Sequence, residues 1–202
     1  MRAPTARVRR LIAILVSPVA ILVAGLLVWQ GSSAAFTAQT RNTGNSWETG
    51  SVLLSDDDMG VAGISIINAV PGQSGSKCIV VTSTSSTPGT VKTFIERVGA
   101  QGLENNILIS FEKGTGGTFA NCTGFVADEP PLPSATLALA GANFSTYATG
   151  ALPWVTTGNS SGESKTYRVS WVFSTTGLSQ TAIDALQGKS ASADVVWELQ
   201  TN

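Results

Sequence analysis

The sequence predicts an all-β fold, an antiparallel two-sheet sandwich of the jelly-roll type with one or two short helices, preceded by an apolar N-terminal segment. After that segment the chain is rich in Thr, Ser, Gly, Val and Ala and has few of the Lys and Glu residues that favour helix surfaces. Short runs of β-branched and aromatic residues alternate with Gly, Ser and Pro, which is typical of strands and turns.

The first 35 residues have the pattern of a secretory signal. Four arginines precede an uncharged apolar run, Leu11–Trp29, and small residues follow as far as Ala35. A basic region, an apolar region and small residues at the cleavage site define such a signal, so we expect cleavage between Ala35 and Phe36. The run is also close to the ~20 residues that span a bilayer, so an uncleaved membrane helix is the alternative. In both cases residues 36–202 are predicted to lie outside the cell.

The charge balance of residues 36–202 limits the kind of partner. Four of the 12 basic residues belong to the signal, which leaves 8 basic and 13 acidic residues and a net charge of −5. An acidic surface disfavours nucleic acid, and contact with the membrane is expected only through the N-terminal segment. The remaining 167 residues have the size of one domain, residues 36–202.

Turn residues divide this domain into eight or nine short strands. Val70–Gln73 has Pro and Gly at the positions that a type II turn requires. Residues 134–139, after a proline-rich break, are compatible with a short helix or a strand. The other strands predicted in this part are one that ends at Leu54, followed by 61–67, 77–84, 91–98, 106–112 and 118–126.

The last third of the chain has the clearest alternation. In Tyr167–Phe173 every second residue is aromatic or aliphatic, and Ala191–Gln200 repeats the pattern with Val196 as an exception. Both segments are predicted to be strands with one buried and one solvated face. Between them, Ser179–Leu186 is predicted to be a short helix that Gly188 closes.

The two cysteines, Cys78 and Cys122, favour one disulfide, because an even cysteine count in an exported chain usually means pairing. The bond would close a loop of about 45 residues, and the loss of chain entropy in the unfolded state would then stabilise the fold by about 4 kcal/mol. Two buried free thiols are the alternative.

No residues with catalytic or cofactor-binding patterns stand out. The chain contains no histidine, so it lacks the commonest general base and the commonest metal ligand. Asp56–Asp58 is expected to be a solvated acidic turn, with a calcium site as the alternative. We therefore predict no catalytic residue, no metal ligand and no cofactor.

Tryptophan exposure bears on a possible binding function. Trp171 and Trp197 fall on inner faces, whereas Trp154, beside Pro153 in a predicted loop, is expected to be exposed. An exposed Trp154 would suit a monomeric module that binds wall glycan or another surface protein, which is the second hypothesis for the function.

Several short motifs resemble those of the TasA/camelysin family of exported bacterial proteins. They are Ala35–Ala38 at the processing site, the strand region Gly44–Leu54, the turn Val70–Gln73 and Leu186–Lys189 before the terminal strand. The cysteine pair and the Trp-rich strands look like a version common in high-GC Gram-positive bacteria.

The resemblance implies a jelly-roll sandwich, processing by a dedicated signal peptidase and assembly into matrix fibres on the cell surface. It further implies that residues 36–43 can complete the sheet of a neighbouring copy, with Phe36 as the anchor of the donated strand. The alternative is that this segment is frayed or pairs within its own chain. Some family members are labelled metallopeptidases, but this chain lacks histidine, so we expect a non-enzymatic protein that associates with itself or with other surface proteins.

Overall fold

The computed structural model describes residues 37–41, 53–58 and 64–201. The chain divides into two compact units, residues 1–35 and 36–202, and all described residues belong to the second unit. The predicted signal and its cleavage site, Ala35 and Phe36, therefore lie outside the described residues.

The described part of the second unit is mostly β-structure. Its elements are β1 (Thr37–Arg41), β2 (Leu54–Asp56), β3 (Ile64–Ile66), β4 (Ser74–Ser83), β5 (Gly89–Glu96), β6 (Ile107–Thr115), β7 (Val126–Ala127), β8 (Ala135–Thr136), α1 (Leu137–Asn143), β9 (Ala151–Thr156), β10 (Glu163–Phe173), α2 (Gln180–Asp184) and β11 (Ala191–Thr201).

The strands form two antiparallel sheets, as the sequence predicts. Sheet A has the order β1-β11-β5-β9, and β3 also pairs with β11. Sheet B has the order β2-β4-β10-β6-β7, and β8 also pairs with β6. The two sheets share one hydrophobic core.

The alternation predicted for β10 and β11 is confirmed. Every second residue of β11 from Ala191 to Leu199 is buried in the core, as are Tyr167, Val169 and Phe173 of β10. The rings of Tyr167 and Trp197 meet across the sheets with their centroids 5.6 Å apart. On the face of β11 that the sequence predicts to be solvated, Val196 and Glu198 are nevertheless buried.

Local turn and cap chemistry explains the turn at Val70–Gln73 and the ends of α2. Gln73 N donates to Val70 O at 2.9 Å and Gly72 has a φ of 81°, as the predicted type II turn requires. Ser179 caps α2, because its side chain accepts a hydrogen bond from Ala182 N, and Gly188 has a φ of 71° beyond the end of the helix. Residues 134–139 contain both structures that the sequence allows, since β8 leads directly into α1.

The strand predicted over residues 118–126 is wrong. This segment consists of turns, in which Thr118 N donates to Asn121 O and Phe125 N donates to Cys122 O. Gly116, Gly117 and Gly124 all have positive φ values, which reverse the chain repeatedly and prevent an extended conformation.

Candidate functional site

The segment predicted to be donated, residues 36–43, is described over Thr37–Arg41. These residues form β1, which pairs antiparallel with β11 of the same chain, with Thr37 opposite Gln200 and Arg41 opposite Val196. Pairing within the chain is thus the arrangement of the described part of this segment. Phe36, the candidate anchor, lies outside the described residues.

The composition of β1 differs from that of the strand it pairs with. None of its five residues is a large hydrophobic residue, whereas the register places Ala38 opposite Leu199 and Thr40 opposite Trp197. Both of these β11 residues are fully buried. On its other side β11 pairs with β5 over eight residue pairs, so β11 keeps a partner strand whether or not β1 is in place.

The opposite edge of sheet A is β9, which is irregular at its centre. Val91 lies opposite Trp154 and Thr93 opposite Ala151, so Leu152 and Pro153 together oppose the single residue Lys92. This is a β-bulge, and Leu152 has a φ of 50°, a conformation that residues with a side chain rarely adopt. The bulge bends the strand.

Two side chains of sheet B donate hydrogen bonds to the carbonyl groups of this bulge. The Tyr167 hydroxyl donates to Leu152 O at 3.4 Å, and Lys113 Nζ donates to Pro153 O at 2.6 Å. Lys113 Nζ also lies 3.1 Å from Glu129 Oε1, and the Lys113 side chain is only 12% exposed. The ammonium group is therefore held in place from two sides.

Burial raises the pKa of Tyr167 above its ordinary value of 10.0, and the negative charges of Asp128 and Glu129 raise it further. The hydroxyl thus keeps its proton and remains a donor to Leu152 O at all pH values at which the protein is commonly handled. Burial and the charge of Glu198 also raise the pKa of Tyr147, whose hydroxyl donates to Thr90 O at 2.9 Å.

The outer edge of β6 is covered by the proline-rich segment that the sequence predicts to interrupt regular structure. β7 and β8 pair with the two ends of β6. Between them, Asp128 N donates to Lys113 O and Leu132 N donates to Phe111 O, both at 2.9 Å. The backbone groups of β6 are therefore used along most of its length.

The predicted disulfide is confirmed, because Cys78 of β4 is bonded to Cys122, with the two Cα atoms 5.3 Å apart. Neither cysteine is free, so the alternative of two buried thiols is wrong. A disulfide is typical of proteins in oxidising compartments, which agrees with an extracellular location.

The bond fastens a segment that we call the disulfide loop, residues 116–125, to sheet B. The Lys77 ammonium lies 4.0 Å from the ring centroid of Phe119, and the Arg168 guanidinium lies 4.5 Å from that of Phe125. The Arg168 guanidinium also donates a hydrogen bond to Glu112, and this bond raises the pKa of Arg168 above its ordinary value. Two cation–π contacts and one covalent bond thus hold the loop.

Asp56–Asp58 differs from the solvated turn expected from the sequence. Asp56 ends β2, Asp58 is fully buried, and the Asp57 carboxylate accepts hydrogen bonds from Val80 N at 2.7 Å and Phe119 N at 2.9 Å. Asp57 therefore connects β4 to the disulfide loop. Within residues 53–58 and 64–201, no group of three or more acidic or cysteine side chains is arranged to hold a metal ion.

The expected exposure of Trp154 is wrong. Trp154 belongs to β9, is 7% exposed and packs in the core with Leu152. The sequence prediction fails because it reads Pro153 as a loop signal, whereas proline is compatible with an edge strand. Trp197 is also fully buried and Trp171 packs partly against the core, so none of these three residues offers an exposed ring for sugar stacking.

The chain was compared with known families, proteins and structures. No family model matches it, and no curated protein or solved structure matches it either. Neither of the two described helices has the length and apolar character needed to cross a membrane.

Proposed function

We propose that this chain is an exported, non-catalytic structural protein of the cell surface or biofilm matrix, related to the TasA/camelysin family and of jelly-roll topology. Copies assemble into fibres by strand exchange, in which β1 of one copy pairs with β11 of the next. The pairing of β1 with β11 carries the proposal, because β1 is a short edge strand without large hydrophobic residues, whereas the β11 residues opposite Ala38 and Thr40 are fully buried.

Strand exchange costs little in this geometry. The same backbone hydrogen bonds are available to β1 from its own β11 and from the β11 of another copy, as in domain swapping. Since each copy would donate one strand and accept one, the contact is head-to-tail and repeats without closing, which produces a filament. Phe36 comes directly before β1 and lies two residues before Ala38. Ala38 and Thr40 lie opposite buried residues of β11. Because every second residue of a strand lies on the same face, Phe36 is the proposed anchor.

Mixed disulfide cross-linking tests the exchange directly. Thr37 and Gln200 lie opposite each other, so a chain with Thr37→Cys mixed with a chain carrying Gln200→Cys should give a covalent heterodimer. The matched control replaces Gln200→Cys by Ser192→Cys, because Ser192 pairs with β3 and not with β1. We expect no heterodimer from that mixture.

Deletion of residues 36–43 provides a second test. The deleted form should remain monomeric, while mature protein that begins at Phe36 should form high-molecular-weight species and fibres visible by electron microscopy. If the mixed chains give no specific cross-link and the deleted form polymerises as well as the mature form, strand donation by this segment is wrong. N-terminal sequencing of the exported protein tests processing after Ala35.

A further inference from the structure

We propose that the β9 edge of sheet A is closed against pairing with a second copy of this chain, and that the Lys113 ammonium group on Pro153 O is the part that closes it. An edge strand exposes N–H and C=O groups that can pair with the strand of another molecule. Among the described strands, β9 pairs only with β5, so its other side is such an edge.

Three features of β9 oppose pairing with another strand. Pro153 has no N–H to donate, and the bulge at Leu152–Pro153 bends the strand away from the straight path that a partner would follow. The Lys113 ammonium group occupies the Pro153 carbonyl, whereas Tyr167, which is fully buried in the core, binds the neighbouring Leu152 O. A partner strand would therefore meet one missing donor and, at Pro153 O, one acceptor that is already used.

Among these three features the Lys113 ammonium group matters most, because it brings a positive charge from sheet B to the edge of sheet A. An inward-placed lysine at a sheet edge is a recognised device against edge-to-edge association, since pairing would bury the ammonium group without water. Glu129 holds the Lys113 ammonium at this position, and Asp128 N in turn binds Lys113 O. The same proline-rich segment thus covers β6 and positions the group that closes β9.

One consequence rests on the proposed function. If copies join by exchange of β1, closure of β9 leaves the β1 side as the edge of sheet A that another copy can use. Assembly then proceeds along a single line, without sideways fusion of sheets. The closure of β9 itself does not depend on strand exchange.

The test uses the full-length mature chain with β1 locked to its own β11 by Thr37→Cys and Gln200→Cys, so that exchange cannot contribute to association. Into this chain we place Lys113→Met, which keeps the side-chain stem and removes the ammonium group, together with Pro153→Thr, which restores a backbone donor. Light scattering after size-exclusion chromatography gives the mass, and hydrogen exchange of residues 151–156 locates the contact.

The locked parent should be monomeric, and the double substitution should double its mass and protect the β9 amides from exchange. Lys165→Met is the matched control, because Lys165 pairs with Asp128 at 2.7 Å and donates to neither carbonyl of the β9 bulge; it should leave the mass unchanged.

A folded double variant that stays monomeric at the highest soluble concentration, or one that associates without protection of β9, overturns the proposal. If the double variant does not fold, Lys113→Met alone decides in the same way. Failure of strand exchange would appear instead as an unlocked parent that is already monomeric, and the comparison at β9 then stands in the unlocked chain.

Discussion

Arg168 and Glu112 lie directly opposite each other on β10 and β6, and the guanidinium donates two parallel hydrogen bonds to the carboxylate. Arg168 Nε lies 2.7 Å from Glu112 Oε2, and Nη2 lies 2.8 Å from Oε1. In the same row, Cys78 lies opposite Arg168 on β4. The pair therefore joins the centre of sheet B to the place where the disulfide loop is attached.

Replacement of Arg168 by Met should destabilise the protein by about 1–2 kcal/mol in urea denaturation. The Glu112 side chain is 11% exposed and would lose both donors, but Arg168 is 32% exposed, so water screens the pair and the loss stays below the roughly 3–5 kcal/mol typical of fully buried pairs. The double variant Arg168→Met, Glu112→Gln should cost less than the sum of the single variants. If the double variant cost as much as the sum of the two single variants, the two side chains would not interact.

Removal of the disulfide by Cys78→Ala and Cys122→Ala should lower the free energy of unfolding by about 2–4 kcal/mol, because the bond closes a loop across a sequence separation of 44. Urea denaturation with and without a reductant measures this. The wild type should lose stability on reduction and the double variant should not respond. A wild type that is equally stable when reduced would show that the two cation–π contacts and Asp57 hold the disulfide loop without the covalent bond.

Alkaline pH should destabilise the folded protein through Tyr167. Its pKa in the folded state lies above the ordinary value of 10.0, so the folded protein keeps a proton that the unfolded chain releases. The contribution to stability is complete below pH 10 and is lost as the pH rises above that value, at about 1.4 kcal/mol per pH unit.

The chain contains two tyrosines, Tyr147 and Tyr167, and both pKa values are raised. Ultraviolet absorbance of tyrosinate should therefore show no complete titration step at the ordinary value while circular dichroism still reports folded protein. Tyr167→Phe should remove most of the alkaline loss of stability. Two tyrosines that titrate normally in the folded protein would contradict this prediction.

Trp154→Ala should cost about 3–5 kcal/mol of stability, as for large aromatic residues removed from a core, since Trp154 is 7% exposed. Trp154→Phe should cost much less. Thermal unfolding followed by circular dichroism measures both. If Trp154→Ala were as stable as the wild type and reduced binding to wall glycan, the ring would be a ligand contact, and the alternative of a monomeric binding module would gain support.

Strict alternation allowed the sequence to predict β10 and β11, because a period of two leaves only one way to bury the apolar residues. The strand predicted over 118–126 is wrong because Gly124 within it and Gly116 and Gly117 just before it have positive φ values, and the bond at Cys122 fixes the path of the chain. Pro153 suggests a loop at this position, since a proline by itself does not distinguish a loop from an edge strand. In each failure a local signal depended on a partner far away in the sequence.

The candidate site was predictable only in part. Residues 36–43 stand out through their position after the predicted signal, but nothing in them identifies β11 as the strand with which Thr37–Arg41 pair. The role of Lys113 at the β9 edge was not predictable from the sequence. It depends on a contact between the two sheets, and Lys113 and Pro153, which make this contact, are 40 residues apart in the sequence. Asp57 likewise gains its partners from β4 and the disulfide loop.

β11 lies between β1 and β5, yet it is the latest of the described strands along the sequence. If the chain is exported with its N-terminus first, as proposed, it cannot complete sheet A until residues 191–201 have appeared. Such non-local pairing slows folding to milliseconds or longer and leaves earlier strands temporarily without their neighbours. A chaperone or a membrane-bound partner that shields β5 during this delay would have its greatest effect before β11 is released.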